Sequence, residues 1–227
     1  SEPDPRHADD ALQAAVGRTL EVEDVATAAL MQRFRATLEP HLAPAADGEA
    51  PLGLHWCLAP EAVPTAGLGG DGHVARGRFL PETPGLPRRM WAGGEIEHLA
   101  PIRIGDAVRK RSRIASVTRK DGRSGSLVFV AVEHAVETPR GPAVRERQDL
   151  VFRAADEGKA TPAAPAAAAP ATAADGADLA IDLATDPVLL FRYSALTFNG
   201  HRIHYDQPYA TGVEGYGGLV VHGPLQA

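Results

Sequence analysis

The sequence predicts an α+β fold, an antiparallel sheet with a helix laid across it. After Trp91 the chain alternates between stretches of strand composition and short turn signals. Within that region Leu127-Val128-Phe129-Val130-Ala131-Val132 is apolar on both faces, which predicts a central strand covered from two sides. Upstream, Val22 to Leu38 carries apolar residues at helical spacing, and such a helix would supply one of the covers.

That helix is the first element. Val22, Val25, Ala26, Ala29, Leu30, Phe34 and Leu38 form its stripe, with Arg33 and Arg35 off it. Glu21, Glu23 and Asp24 fall in the first turn, where the helix dipole favours negative charge, and Pro40 stands where the helix must stop. From Pro40 to Arg89 the chain is rich in Gly and Pro. Its run Gly67-Leu68-Gly69-Gly70-Asp71-Gly72-His73 follows neither period and is expected to be a long ordered loop, with a short strand at His73 to Phe79. Loops of such length inside a compact domain tend to be functional.

Four strands follow, Glu95 to Leu99, Ala107 to Thr118, Ser126 to Glu137 and Ala143 to Arg153, with turns at Lys120-Asp121-Gly122 and Thr138-Pro139-Arg140-Gly141. Their order reads as an antiparallel meander, with Val108 to Ser112 half exposed. From Ala154 to about Asp178 the chain is dominated by Ala, Pro, Thr and Gly, which offer no large apolar groups to bury, so this is a linker. It divides the chain into residues 1–153, a linker over 154–180, and a second part over 181–227. The second part opens with Asp186-Pro187, an N-cap followed by Pro at the first helical position, and a short helix is expected to run to about Ala195.

Composition narrows the function. With 227 residues the chain can bury a sizeable core. A net charge of −6 argues against a surface for nucleic acid, which is bound through clustered Lys and Arg. There is no apolar run of about 18 residues, and the acidic start does not resemble a signal peptide, so neither a membrane span nor secretion is expected. The single Cys57, between Trp56 and Leu58, reads as a small buried hydrophobe in a cytoplasmic protein.

The chemistry concentrates in Phe198-Asn199-Gly200-His201-Arg202-Ile203-His204-Tyr205-Asp206, on a loop after a capped helix. His204 is the candidate general acid or base, and Asp206, two residues on, is placed to orient its ring. The Asn199 amide can donate and accept together, as positioning a water requires; Asn199-Gly200 is equally a turn signal. Downstream lies His222-Gly223-Pro224. If a helix starts there, the Gly223 N–H is unpaired within it and open to an oxyanion; the alternative is a C-cap or bulge. A metal held by His201, His204, Asp206 and His222 is not expected, because the segment has no Cys and no His-Glu-x-x-His pattern. No cofactor is expected either.

The stretch Phe191 to Asp206 resembles the MaoC-like hydratase motif in the Phe-Asn-x-His-x-Ile-His-x-Asp form of mesaconyl-C4-CoA hydratases and type 2 hydroxyacyl-thioester dehydratases. Arg76-Gly77-Arg78-Phe79-Leu80-Pro81, Pro87-Arg88-Arg89-Met90-Trp91-Ala92-Gly93-Gly94 and Gly122 to Val130 resemble the same family. The resemblance implies a double hot-dog, each half a sheet wrapped on a central helix, and an oligomer, a dimer in the simplest case. The second hot-dog is expected to be incomplete, since its central helix would only begin at His222-Gly223-Pro224-Leu225. It implies a substrate held as a thioester of CoA or acyl carrier protein. Gly223 matches the family's oxyanion-binding Gly. Asn199 stands where related hydratases carry an Asp and cannot share proton transfer, which leaves His204 as the titrating group and Asn199 to orient water.

The expected reaction adds water across, or removes it from, the Cα–Cβ bond of an acyl thioester, for example mesaconyl-C4-CoA to citramalyl-CoA. A hydroxyacyl-thioester dehydratase of fatty acid metabolism, a thioesterase of the same fold and a non-catalytic acyl-CoA-binding subunit are the alternatives. Arg88, Arg89 and Arg202, with His201, are the candidates for holding substrate, through an acyl carboxylate or the CoA phosphates.

Overall fold

The structure is a computed structural model that describes residues 5–122, 125–155 and 182–227. The expected linker falls almost wholly outside these residues. A helix α1 (Pro5–Gln13) leads into β1 (Thr19–Val25), α2 (Ala28–Leu38) and, after a long loop, β2 (Arg88–His98). Strands β3 (Ala107–Gly122), β4 (Gly125–Thr138) and β5 (Gly141–Arg153) complete a five-stranded antiparallel sheet of order β1-β3-β4-β5-β2.

The sheet differs from a simple meander. Only β3, β4 and β5 are hairpin neighbours, while β2 crosses to the far edge and pairs with β5. β4 is central, as its apolar run requires; Val128, Val130 and Val132 are buried, and Leu127, Phe129 and Ala131 on the other face are half-buried. Strand β3 extends past the expected turn, with Lys120 paired to Leu127 and Gly122 to Gly125. The second turn stands where predicted, with Gly141 at φ 114°, a left-handed backbone that suits Gly.

The predicted first helix is half strand. In Thr19–Val25 Leu20 and Val22 turn inward while Glu21 and Glu23 point to solvent, a period of two. Those glutamates face Arg111 and Arg109 across the strand pair rather than a helix dipole. Opposite charges on adjacent strands favour this pairing, which the helical reading of the same residues missed. The helix proper begins after Thr27, whose hydroxyl accepts from Leu30 N at 3.1 Å, and it buries Met31, Phe34 and Leu38 against the sheet.

Residues 39–87 form the predicted ordered loop, with turns of 3-10 helix at Leu54–Cys57 and Thr65–Gly67. No strand forms at His73 to Phe79; a single bridge joins Leu68 and Val74. Cys57 is buried as expected, and burial pushes its thiol up to about 12.

The second part supplies α3 (Pro187–Leu196), α4 (Gln207–Gly212) and α5 (Gly223–Gln226). Asp186 caps α3 by accepting from Leu189 N at 2.8 Å, with Pro187 at its first turn. Tyr193 of α3 is buried in the same core as Phe34 and Leu54, so the second part is seated on the first. No helix among the described residues is long and apolar enough to cross a membrane.

Candidate active site

The site is built on the end of α3. Thr197 closes the helix, Phe198 turns the chain at φ 52°, and Asn199 N is held by Ser194 O at 2.9 Å. A turn of 3-10 helix over Arg202–His204 then brings two histidines inward while Arg202 and Tyr205 stay nearer the surface.

His204 is buried, and its Nδ1–H donates to the carbonyl of Val220 at 2.7 Å. A carbonyl only accepts, so this contact fixes the tautomer and leaves Nε2 with its lone pair. Burial lowers the His204 pKa, and the Val220 contact opposes that only in part.

Four imidazoles stand in a row. His73 lies against His201 with centroids 4.0 Å apart, His201 meets His204 edge-on at 5.4 Å, and His204 stacks on His222 at 3.6 Å. His222 accepts or donates at Nε2 with Ser194 Oγ at 2.8 Å, and its Nδ1 is buried without a partner among the described residues. Burial holds His222 down to about 3. Burial likewise lowers His73 to about 4, with the charge of Arg89 adding to it, and His201 to about 2, with His73 and His204 adding to it. At neutral pH the row is uncharged.

At its outer end His73 Nδ1–H donates to Asp71 Oδ2 at 3.1 Å, and Asp71 Oδ1 accepts from His73 N. Burial raises the Asp71 carboxyl, but the hydrogen bonds from His73 outweigh it and hold the group well below the carboxylate range. Asp71, His73 and His201 bring their ligand atoms within 4.8 Å of one another, the one His and carboxylate cluster of that kind among the described residues. Two imidazoles on one tetrahedral zinc, at about 2.1 Å each, would hold their centroids about 5 Å apart. The 4.0 Å stack of His73 on His201 is tighter than that and fits ring packing.

The Gly-rich run that lacked any period is what docks this outer end. Arg202 N donates to Asp71 O at 2.9 Å and its guanidinium to Gly70 O at 3.1 Å. The backbones of Gly72 and Gly200 approach so closely that a Cβ on Gly72 would lie 1.8 Å from Gly200 O. The sequence marks Asp71 and His73 only as members of a long Gly-rich loop and does not single them out as site residues.

Other predicted residues are placed as follows. Asn199 lines the cleft, and its Oδ1 accepts from His201 N at 3.0 Å, so the turn reading holds for that oxygen. Asp206 does not orient His204. Its carboxylate receives Arg202 at 2.8 and 2.9 Å and caps α4 through Tyr209 N, because a residue two along from His204 lies past the 3-10 turn. Arg202 is thereby engaged, and its guanidinium also lies over Tyr209. Arg88 is buried against Glu214, with Nε 3.5 Å from Oε2 and a further hydrogen bond to the Glu214 carbonyl. Arg89 lines the cleft itself. Gly223 opens α5 ahead of Pro224, where a backbone N–H has no partner within the helix. The indole of Trp91 lies against its Cα, so close that a Cβ would fall 1.8 Å from Trp91 Cε3. His204, His222, Asn199, Gly223 and Arg89 all border one cleft of about 1000 Å³, which also runs along Lys110, Ser112, His134 and Glu146 on the inner face of the sheet.

A five-stranded antiparallel sheet wrapped on α2 is a hot-dog scaffold, and the buried histidines beside a helix start in its cleft equip it for acid–base chemistry. The profile of hydroxyacyl-thioester dehydratase type 2 matches residues 53–227, and the chain belongs to that family. It is 45% identical over 216 residues to the mesaconyl-C(4)-CoA hydratase of Chloroflexus aurantiacus, covering 94% of this chain and 75% of that protein. Among solved structures, a MaoC-like dehydratase superposes with TM-score 0.64 at 16% identity, over 95% of this chain and 76% of that one. HtdX of Mycobacterium tuberculosis superposes with TM-score 0.58 at 21% identity, over 92% and 72%. Both likenesses are of the fold.

Proposed function

We propose that the protein hydrates the Cα–Cβ double bond of an unsaturated acyl-CoA, or catalyses the reverse, with mesaconyl-C4-CoA as the first substrate to test. The observation that carries the reading is His204, a buried neutral imidazole whose Nδ1 is committed to Val220 and whose remaining nitrogen is a base. In the hydration direction the water oxygen bonds to Cβ as its proton passes to His204 Nε2. The π electrons move toward the thioester oxygen, and the same proton then reaches Cα. Gly223 N–H is the proposed donor to that oxygen, and the Asn199 amide nitrogen, with no partner among the described residues, is the proposed donor to water. His201 forms the wall that packs on His204. Asp206 and Arg202 support the segment through each other.

The relative's name and the family support the thioester class. The two-part organisation, residues 1–153 and 181–227, and a homo-oligomeric assembly belong to the same proposal. The test is to follow loss of enoyl absorbance with crotonyl-, mesaconyl-C4- and longer enoyl-CoAs while a thiol reagent monitors free CoA. Loss of absorbance without thiol supports hydration; thiol release alone overturns it in favour of a thioesterase.

A further inference from the structure

Three neighbours fix the ring of His222. Ser194 Oγ of α3 meets its Nε2 at 2.8 Å, Tyr193 stands edge-on with centroids 4.9 Å apart, and His204 stacks on it at 3.6 Å. The residue is 1% exposed and borders the cleft that also holds His204 and Asn199. Its Nδ1 is buried without a partner among the described residues, so a partner has to come from the cleft.

Ser194 decides which nitrogen carries the proton. Its hydroxyl is buried, and His222 Nε2 is its one hydrogen-bond partner among the described residues. If Nε2–H donated to Oγ, the hydroxyl proton would have no acceptor and the Nδ1 lone pair no donor. If Oγ–H donates to Nε2, only one group is left over, the Nδ1–H. Every buried polar group without a partner is costly, so the second arrangement is the stable one. Burial lowers the ring's pKa to about 3, which keeps it neutral at working pH. A neutral imidazole N–H in a buried site is a donor suited to polarising a carbonyl.

We infer that His222 Nδ1–H is a second donor to the thioester oxygen, a neutral electrophile whose tautomer is set by Ser194. The inference rests on the hydratase reading of His204. The thioester oxygen is three bonds from Cβ, the carbon that takes the water, and the stack holds His222 one ring's thickness from the base that serves that water. The backbone donor proposed for the same oxygen belongs to the next residue, Gly223. As the O–Cβ bond forms and the π pair moves toward the oxygen, negative charge grows there, and the fixed N–H stabilises it without reorganising. His222 keeps its proton throughout, since the proton leaving water goes to His204 and then to Cα. Ser194 touches the ring and not the substrate, so it is a positioning residue.

The test uses the full chain and the enoyl-CoA that it turns over fastest, with the variants H222F, H222N, S194A and H204Q. H222F keeps an aromatic ring against His204 and loses the donor, whereas the amide nitrogen of H222N can stand where Nδ1 stood. H222F is expected to lose about 100-fold in kcat with KM changed only a few-fold, because the donor acts on charge that grows in the transition state. H222N recovers about tenfold of that loss, and S194A, which frees the tautomer, loses about tenfold. Nitrogen NMR on isotope-labelled histidine reads the tautomer without substrate: His222 is expected as Nδ1–H in the wild type and as a mixture in S194A. An Nε2–H tautomer in the wild type overturns the inference, as does wild-type kcat in H222F or an H222N no better than H222F. If H222F does not fold, the tautomer and S194A decide, and unchanged kcat in S194A overturns it. H204Q separates the two proposals: wild-type turnover in H204Q overturns the hydratase reading, whereas an inactive H204Q with wild-type kcat in H222F overturns only the role of His222.

Discussion

The rings of His204 and His222 are stacked, with centroids 3.6 Å apart and planes 17° from parallel. Two imidazolium ions could not share that contact in a buried site, so the pair is stable only while at least one ring is neutral. The stack therefore carries at most one charge: the charge of His204 adds to the lowering of His222, and it is burial that lowers His204. On this reading kcat/KM falls on the acid side as His204 takes a proton, and because burial lowers its pKa the fall lies below 6.5. A pH profile checks this, and an acid limb centred at or above 6.5 contradicts it. The H204Q variant is expected to lose about a hundredfold or more in kcat with its circular dichroism unchanged.

Acid also acts on the fold. His73, His201, His222 and His134 all have pKa values lowered by burial, to between about 2 and about 4. Unfolding returns each to about 6.5, so below that pH the unfolded chain binds protons that the folded chain refuses, and stability falls. The loss begins as pH drops through 6.5 and continues down to the folded values. Glu146, held at about 2 against burial by His55, Trp56 and Gln148, adds a second loss below its unfolded value of about 4.5. Urea midpoints measured from pH 8 to pH 4 should decline steadily from 6.5 downward; a flat curve between 6.5 and 5 contradicts the buried neutral row.

Gly223 is fixed by space whatever its backbone does for the substrate. In G223A the new methyl would meet the Trp91 ring, and overpacking of this kind costs about 1–3 kcal/mol. The melting temperature of G223A should drop, and W91A in the same chain should recover part of it. No recovery would mean that the strain is not with Trp91.

Asp206 separates a capping role from an orienting one. D206N is expected to lower the melting temperature, since it weakens the Arg202 pair and the cap of α4, while kcat stays within a few-fold of wild type. A hundredfold loss in kcat would return Asp206 to the proton chemistry.

Much of this architecture can be read from local pattern. The central strand, the β4–β5 turn, the Asp186 cap and the crowding of His, Asn and Gly after α3 depend on residues close in sequence, where period and turn chemistry act. The failures are all non-local. Glu21 and Glu23 suit a helix dipole until Arg109 and Arg111 are placed opposite them on β3. The move of β2 to the far edge is decided by pairing with β5, and the spacing of Asp206 from His204 suggests an orienting role until Arg202, folded back one turn, claims its carboxylate. Asp71 and His73 lie in a segment without period, and only its docking on Gly200 gives it meaning.

That docking orders events in time. Gly70 and Arg202 are 132 residues apart along the chain, yet their contact helps close the outer end of the histidine row. Contacts of such separation form late, after local strand pairs and helices have already been gained. A refolding chain should regain its far-ultraviolet signal first and its turnover last, so the sheet becomes a protein before it becomes an enzyme.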